Sequence, residues 1–284
     1  MDVRTAHRAL LSALLPEDDP AVVPVRRGQF HHVAIGSDRV VCLPRTAAAA
    51  DRLPGRAAVL RALARLDLGF RTPVPLREGG AGEVPFLVLD RLPGEPLEDD
   101  ALRDARVADA VAAQCAALLA GLRRAAADEA VRAALPREPA DRWRRFADGV
   151  RAELFRFMSG DGRRRAEREL AALGGLPHLA GAVVHGDLGA ENVLWEWRDG
   201  SPRLAGVLDW DDVALGDPAE DLAALAAGYG DDLLGRVLAR GPGREAGIAD
   251  RIAAIRATFA LQQALAAVRD GDEEELADGL SEYR

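Results

Sequence analysis

The sequence predicts an α+β protein in which a small β-rich N-terminal region precedes a larger, mainly helical C-terminal region. About the first ninety residues contain short apolar runs separated by Gly, Asp and Pro, the pattern of strands joined by turns. From about residue 99 to 175, and again after Pro218, apolar residues recur at the helical period of about 3.6. We therefore predict two regions, residues 1–91 and 92–284.

The N-terminal region is expected to contain an amphipathic helix at residues 5–15. Its strands are predicted at residues 21–25, 29–35, 39–43, 73–76 and 84–89. Thr46 is expected to cap a short Ala-rich helix, and Pro54 suits the first turn of a second helix that runs to residue 66. The Gly-rich segment 79–82 is typical of a hairpin tip.

Composition and charge exclude several functional classes. Hydrophobic residues make up 49% of the 284 residues, which is enough for a packed core. The two cysteines, Cys42 and Cys115, suffice for neither a disulfide framework nor a zinc site. The net charge of -9 argues against a nucleic-acid partner and suits a cationic one. The chain has no lysine, so all 37 basic residues are arginine.

The sequence carries no signal for a membrane or for export. No run of eighteen apolar residues is present, so no membrane span is expected. The N-terminus has neither the basic start nor the cleavage site of a signal peptide, and we expect a cytoplasmic protein. We expect it to be a monomer or a weak dimer.

A polar loop between short strands carries the strongest chemical signal. An apolar strand leads into His185-Gly186-Asp187, four residues intervene, and Asn192 opens the next strand. A later strand ends at Asp209. Phosphoryl transfer needs a carboxylate to orient and deprotonate the attacking hydroxyl, and hard oxygen ligands for Mg²⁺. Asp187 suits the first task, and Asn192 and Asp209 suit the second. The alternative is a polar loop whose Asp and Asn merely form turns.

These motifs resemble those of the aminoglycoside phosphotransferase family. The resemblance rests on His185-Gly186-Asp187 with Asn192, on Leu208-Asp209-Trp210-Asp211, and on the segment from Gly216-Asp217-Pro218 to Leu222. Within that family the chain resembles, nearly end to end, the viomycin and capreomycin phosphotransferases, and this closer resemblance includes the segments 28–33, 49–56 and 270–276. The resemblance implies a bilobal, protein-kinase-like fold, with a nucleotide-binding lobe at 1–91 and a catalytic lobe at 92–284. It also implies resistance, by phosphorylation of a hydroxyl on a basic cyclic-peptide antibiotic.

The resemblance also implies a cofactor site. Asp187 is expected to be the catalytic base, and Asn192 and Asp209 the Mg²⁺ ligands. ATP is the expected donor, and GTP stays open. The loop over the phosphates includes Gly28, Gln29, Phe30 and His31, and the connector after the sheet is expected to hold the base through the backbone of Asp90 and Leu92.

The sequence departs from the kinase pattern at one pair of positions. Kinases hold the phosphates with a lysine on the third strand, which a glutamate on the next helix orients. Here Cys42 stands at the lysine position and Arg56 at the glutamate position. We hypothesise that Arg56 supplies the missing positive charge, since its guanidinium suits phosphate. Arg45 is a rival candidate, and a solvated Arg56 is the plain alternative.

Two further acidic residues are candidates for binding the acceptor. Asp211 and Asp212 follow the expected metal ligand closely and are predicted to face a cationic substrate. Two other functions stay open. One is a metabolic kinase of the same fold that acts on choline, homoserine or an amino sugar. The other is a non-catalytic nucleotide-binding pseudokinase, which the changes at Cys42 and Arg56 favour and the intact Asp187 disfavours.

Overall fold

The computed structural model describes residues 3–28, 30–79, 84–98, 100–241 and 245–284. In chain order its strands are β1 Val25–Arg27, β2 His31–Ile35, β3 Arg39–Pro44, β4 Pro75–Glu78, β5 Leu87–Asp90, β6 Ala182–Val184, β7 Val193–Arg198, β8 Ser201–Val207 and β9 Ala214–Gly216. Its helices are α1 Val3–Ala6, α2 Arg8–Leu14, α3 Ala47–Leu63, α4 Ala105–Ala125, α5 Glu129–Ala134, α6 Arg142–Gly149, α7 Gly160–Gly174, α8 Ala219–Tyr229, α9 Asp231–Ala239, α10 Ile248–Ala257, α11 Phe259–Asp270 and α12 Glu273–Gly279.

The chain forms two compact units. The first unit contains Met1–Leu135 and Ala190–Asp212, and the second contains Pro136–Gly189 and Val213–Arg284. The predicted boundary after Arg91 falls inside the first unit, because α4 packs on β8 and α5 packs on α3. The side chain of Gln114 on α4 joins this helix to β8, accepting a hydrogen bond from the Leu204 amide at 2.8 Å and donating one to the Pro202 carbonyl at 2.9 Å.

A five-stranded antiparallel sheet dominates the first unit, with the strand order β1-β2-β3-β5-β4. Buried apolar residues from α2 and from one sheet face, among them Leu11, Val41 and Phe86, form the core beneath it. β4 and β5 begin later than predicted, at Pro75 and Leu87. The Val74 amide is already bonded to the Asp90 carboxylate at 2.5 Å, which keeps it out of the strand ladder.

The first predicted strand, at residues 21–25, is wrong in position, since β1 spans Val25–Arg27. Asp19 closes a turn instead. Its carboxylate accepts a hydrogen bond from the Ala21 amide at 2.9 Å, and its carbonyl accepts one from the Val23 amide at 3.1 Å. A local aspartate side chain has outcompeted the weak β preference of the segment.

The two helices predicted around Pro54 are one continuous helix, α3, which is a correction. Thr46 caps it as predicted and accepts a hydrogen bond from the Ala49 amide at 3.1 Å. Pro54 lies inside α3, where it removes one backbone donor. The buried face of α3, which includes Leu53, Ala57 and Leu60, continues across the proline, so tertiary packing holds the helix together.

The helix α4 differs from the others in its length and apolar composition. Among the described residues it is the one helix long and apolar enough to cross a membrane, judged by those two properties alone. Half of its apolar window is buried within the protein, and a single helix of this kind is weak evidence for a membrane span, because core helices pass the same test.

The second unit is mainly helical. Val150, Leu154, Leu170, Leu261 and Tyr283 belong to its buried core. In the antiparallel pair β6–β9, Val183 lies opposite Leu215. The polar loop that contains His185 begins directly after β6. α8 begins soon after β9, and its residues from Ala219 to Ala226 are all buried. The β-rich N-terminal region and helical C-terminal region match the predicted order.

Candidate active site

The β7–β8 hairpin brings Asn192 and Asp209 to the same end. Asn192 directly precedes β7 and Asp209 follows β8, and the Leu208 amide donates to the Asn192 carbonyl at 2.8 Å. At the opposite end, Asp199 and Gly200 form the turn with positive φ angles of 51° and 72°. An Asp-Gly pair suits a two-residue turn of this kind and fixes which residues stand opposite each other. The two expected metal ligands are therefore neighbours through backbone pairing alone.

Asp209 adopts an unusual backbone conformation. Its φ is 53°, in the left-handed region that costs a non-glycine residue of the order of 1 kcal/mol. The next residue holds the turn in place. The Trp210 ring is buried, donates from Nε1 to the Val207 carbonyl at 2.9 Å, and stacks on Phe70 with ring centroids 6.3 Å apart. The Asp209 side chain remains half exposed, as a metal ligand requires.

In the second unit, the loop carrying Asp187 is held by a buried carboxylate. Asp221 accepts hydrogen bonds from the amides of His185 at 2.9 Å and Gly186 at 3.0 Å. His185 is fully buried, and its Nδ1 accepts from the Asp187 amide at 3.2 Å, so its ring helps to order the loop. Gly186 has a φ of 90°, which favours glycine. Asp187 itself is exposed.

Sequence reasoning missed the role of Asp221. From the sequence alone, Asp217 and Asp221 both suit helix capping and dipole stabilisation, because they lie at the start of a helix after Gly216. In the structure only Asp217 accepts a hydrogen bond from a first-turn amide, that of Ala219 at 2.9 Å. Asp221 lies inside the fully buried start of α8, and burial raises its pKa to about 7 against the opposing effect of the two amides. The apolar run Leu222-Ala223-Ala224-Leu225-Ala226 directly after it was the available signal. A charged residue that packs with such a run is almost never fully buried unless it is paired, so a partner was to be sought.

Charge pairs brace the same segment of the second unit. Arg251 Nε lies 2.8 Å from an Asp217 carboxylate oxygen, and both side chains are buried. Arg142 contacts Glu220 at 2.6 Å, and burial raises the pKa of the Glu220 carboxyl. Truncating one partner of such a pair leaves an uncompensated buried charge.

In the first unit, Arg56 lies at the centre of a buried polar cluster. Its Nε is 2.9 Å from Asp211 Oδ1, its Nη2 is 4.0 Å from Asp209 Oδ1, and its Nη1 is 3.3 Å from His31 Nδ1. The Arg56 side chain is only 12% exposed, so the solvated alternative is excluded. Cys42 is buried beside it, and burial raises the pKa of its thiol, which is therefore neutral at pH 7.

His31 enters this cluster as a neutral ring. Burial, together with the adjacent charge of Arg56, lowers its pKa to about 4 against the opposing charge of Asp209. His32, its neighbour on β2, is partly exposed, as expected from the alternation of a strand. A neutral His31 can accept a hydrogen bond from Arg56 through Nδ1.

The remaining predicted residues occupy separate positions in the first unit. Gly28 starts the hairpin loop, donating to the His31 carbonyl at 2.8 Å, and the rival candidate Arg45 donates to the Gly28 carbonyl at 2.8 Å. Phe30 meets the His31 ring edge to face at 6.4 Å. Gln29 lies outside the described residues, as do residues 80–82 of the predicted hairpin tip.

The predicted connector and acceptor residues have their own contacts. The Asp90 carboxylate accepts from the Val74 amide and from Arg71, 2.9 Å away, and the Asp90 amide donates to the Val74 carbonyl at 3.0 Å. The base contact predicted for Asp90 would therefore have to be made by its carbonyl. Leu92 is buried. Asp211 faces Arg56, whereas Asp212 is exposed.

Comparison with known proteins places the chain in a family. Residues 26–267 match the model of the phosphotransferase enzyme family. The viomycin phosphotransferase of Streptomyces vinaceus is 67% identical over 287 residues, covering 100% of both chains. A solved structure of the GDP complex of wild-type aminoglycoside 2'-phosphotransferase-IIIa superposes with a TM-score of 0.81 at 18% identity, covering 99% of this chain and 97% of that one. The structure of macrolide 2'-phosphotransferase type I superposes with a TM-score of 0.72 at 25% identity, covering 100% of this chain and 98% of that one.

These matches confirm both the resemblance drawn from the His185 and Asp209 motifs and the kinase-like fold class. The family match covers most of the chain and includes every candidate site residue. The chain belongs to the phosphotransferase enzyme family.

Proposed function

We propose that this protein inactivates a basic cyclic-peptide antibiotic of the tuberactinomycin class, viomycin or capreomycin, by phosphorylating one of its hydroxyl groups. The observation that carries the substrate class is the 67% identity to viomycin phosphotransferase along the whole of both chains. The net charge of -9 supports it, because an acidic protein attracts a cationic acceptor. We place the enzyme in the cytoplasm, as a monomer or a weak dimer.

ATP is the proposed phosphoryl donor, GTP is the alternative, and Mg²⁺ is the proposed metal. Asn192 and Asp209 offer an amide and a carboxylate oxygen, the hard ligands that Mg²⁺ prefers. Mg²⁺ commonly takes only one or two protein carboxylates and completes its shell with water and phosphate. When bound, the metal neutralises charge on the transferring phosphoryl group.

Asp187 is the proposed catalytic base. Its carboxylate orients the acceptor hydroxyl and takes up its proton as the oxygen attacks the γ-phosphorus. The leaving nucleoside diphosphate carries away the bridging oxygen. The hydrogen bonds from the loop backbone to Asp221 and His185 support this role, because they hold the loop in one conformation while Asp187 stays exposed.

The nucleotide contacts remain as predicted from the sequence. Gly28, Gln29, Phe30 and His31 are proposed to cover the phosphates, and the backbone of Asp90 and Leu92 to meet the base. Asp212 is exposed and is proposed to face the cationic acceptor. The same role for Asp211 competes with its pairing to Arg56.

Mass spectrometry of viomycin and capreomycin, incubated separately with the protein and either MgATP or MgGTP, tests the function. We expect a mass gain of one phosphate on at least one antibiotic. Asp187→Asn should slow the transfer by roughly 10²- to 10⁴-fold, the usual contribution of a general base. Asp148→Asn, at an exposed position of the same unit, is the matched control and should transfer normally.

The alternatives predict different results. A protein that binds nucleotide and phosphorylates choline, homoserine or an amino sugar, but neither antibiotic, is a metabolic kinase. A protein that binds nucleotide and phosphorylates none of these is a pseudokinase, and the proposed function is then wrong.

A further inference from the structure

In the first unit, β3 lacks the cation that the kinase template places on its third strand. β3 reads Arg39-Val40-Val41-Cys42-Leu43-Pro44, and its one cation, Arg39, pairs with Asp38 at 2.6 Å. The position that holds the lysine in the kinase template is the buried, neutral Cys42. β3 therefore contributes no cation next to Asp209, and any phosphate-binding cation there has to come from another element.

α3 provides such a cation. The Arg56 guanidinium lies beside Cys42 and within 4.0 Å of Asp209, the proposed metal ligand. Arg61, one turn further along α3, has a half-exposed side chain and pairs with Glu78 instead. Of these two arginines, only the one whose side chain points towards Asp209 is buried, and a buried arginine needs partners that compensate for its lost hydration.

The compensation that Arg56 receives is incomplete. Asp211 Oδ1 lies 2.9 Å from Arg56 Nε, but the N–H is poorly aligned with this oxygen, and Nε has no hydrogen-bond acceptor among the described residues. His31 Nε2 is likewise buried with no partner in that part of the chain. Buried donors and acceptors are nearly always satisfied in proteins, and the exceptions call for a ligand or a functional reason.

We propose that Arg56 is the phosphate-binding cation of this enzyme, and that Asp211 and His31 are the residues that position it. The inference rests on the proposed function. The ordinary arrangement has a strand lysine oriented by a helix glutamate. Here the helix supplies the cation, and the segment after the metal ligand supplies the orienting carboxylate. The planar guanidinium can bind a phosphate oxygen pair with one edge while Asp211 holds the other.

Nucleotide binding, measured by calorimetry without any antibiotic, separates this role from catalysis. The probe is ATP or GTP, whichever the wild type binds more tightly, compared with its nucleoside. Arg56→Ala should weaken triphosphate binding roughly tenfold to a hundredfold, as the loss of a charge-assisted hydrogen bond predicts, and leave nucleoside binding unchanged. Arg61→Ala, on the same helix, is the matched control and should bind both like the wild type.

Two double variants keep the test decisive if Arg56→Ala alone fails to fold. Arg56→Ala with Asp211→Asn removes both charges of the pair, so no buried charge is left alone. Cys42→Lys with Arg56→Glu rebuilds the ordinary strand-lysine arrangement and should recover part of the lost triphosphate affinity. Asp211→Asn should weaken triphosphate binding several-fold when Arg56 is present, and not when it is replaced, because a positioning residue acts only through its partner.

The inference is overturned if folded Arg56→Ala, or its double variant with Asp211→Asn, binds the triphosphate as tightly as the wild type. It is also overturned if both ligands weaken equally, which indicates a general structural role. A wild type that binds nucleotide but modifies neither antibiotic refutes only the proposed substrate, since this binding series contains no antibiotic and still decides the role of Arg56.

Discussion

The two units hold their candidate functional groups by different means. In the second unit, the Asp221 carboxylate binds two backbone amides and so fixes the path of the chain around Asp187. In the first unit, the contacts of Arg56 with the described residues are made to side chains, those of Asp211, His31 and Asp209. Because backbone amides are present whatever the side chains are, the two hydrogen bonds to Asp221 depend on the side chain of that residue alone. The arrangement in the first unit requires several side chains of matching charge and shape. It can therefore be altered, or restored, by substituting those side chains together.

Removing the carboxylate of Asp221 should break the second unit's arrangement most severely. Asp221→Ala leaves the buried His185 amide and the part-buried Gly186 amide without this acceptor, at about 1–3 kcal/mol for the buried one. We expect a loss of about 2–4 kcal/mol in the free energy of unfolding, together with loss of phosphoryl transfer. Urea titration with a transfer assay measures both, and Asp148→Asn is the exposed control. A variant of unchanged stability would contradict the proposed support of the loop.

Gly162 in α7 tests whether the stability of the second unit also depends on a close approach between two backbone segments. A Cβ on Gly162 would lie 1.9 Å from the Tyr283 carbonyl oxygen, so Gly162→Ala should cost about 1–3 kcal/mol or more. Gly174 belongs to the same helix, and a Cβ there would meet no atom within 4 Å, so Gly174→Ala should be neutral or stabilise by up to about 1 kcal/mol. Thermal melts measure the change in melting temperature of each variant. A decrease of similar size in both would contradict the predicted clash at Gly162.

Acid should weaken the side-chain cluster of the first unit through His31. Its pKa is lowered to about 4 by burial and by Arg56, beside the carboxylates of Asp211 and Asp209, whereas an unfolded histidine titrates near 6.5. Between these values the unfolded chain takes up a proton that the native state excludes, so stability falls as the pH falls. From pH 7 to 5 the wild type should lose about 1–2 kcal/mol more than His31→Gln. Urea titrations at both pH values measure this difference. If the wild type and His31→Gln lose the same stability between pH 7 and 5, His31 is not the cause.

The smallest expected effect concerns the turn at Asp209. Trp210→Phe removes the Nε1 hydrogen bond to the Val207 carbonyl but keeps most of the stacking on Phe70. We expect a loss of about 1 kcal/mol in stability and a modest rise in the Mg²⁺ concentration needed for half-maximal transfer. Phe70→Leu, which keeps the Trp210 hydrogen bond, is the companion variant. If Trp210→Phe leaves both quantities unchanged, the indole hydrogen bond has no part in holding Asp209.

The residues that sequence reasoning identified are those whose role depends on spacing along the chain. Asp187 and Asp209 follow strands and Asn192 precedes one, so the spacing of the motif could be recognised from the sequence alone, although their roles as base and metal ligands stay predictions. Arg56 could be proposed because Cys42 and Arg56 departed from a known pattern together. The fold class followed from the change in apolar period near residue 99, and the family match confirms it.

What sequence reasoning could not reach depends on contacts distant in the chain. Asp211 is 155 positions from Arg56, and nothing in its local sequence distinguishes a partner for arginine from a site for a cationic acceptor. The local sequence of Asp221 is that of an ordinary first-turn aspartate that stabilises the helix dipole, and its bonds to the amides of His185 and Gly186 are with residues 36 and 35 positions earlier. Pro54 was placed at a helix start by its local preference, and only the buried face of α3 explains why the helix continues through it.

The absence of lysine has a consequence for chemical labelling. Nucleotide analogues with an acyl phosphate label kinases by acylating the amine of the phosphate-binding lysine. The side chains of this protein offer such a reagent no amine, and a guanidinium that stays protonated is a poor nucleophile. An arginine-directed dicarbonyl reagent is the suitable probe instead. A survey of a cell extract by lysine acylation would therefore overlook this enzyme even while it binds nucleotide.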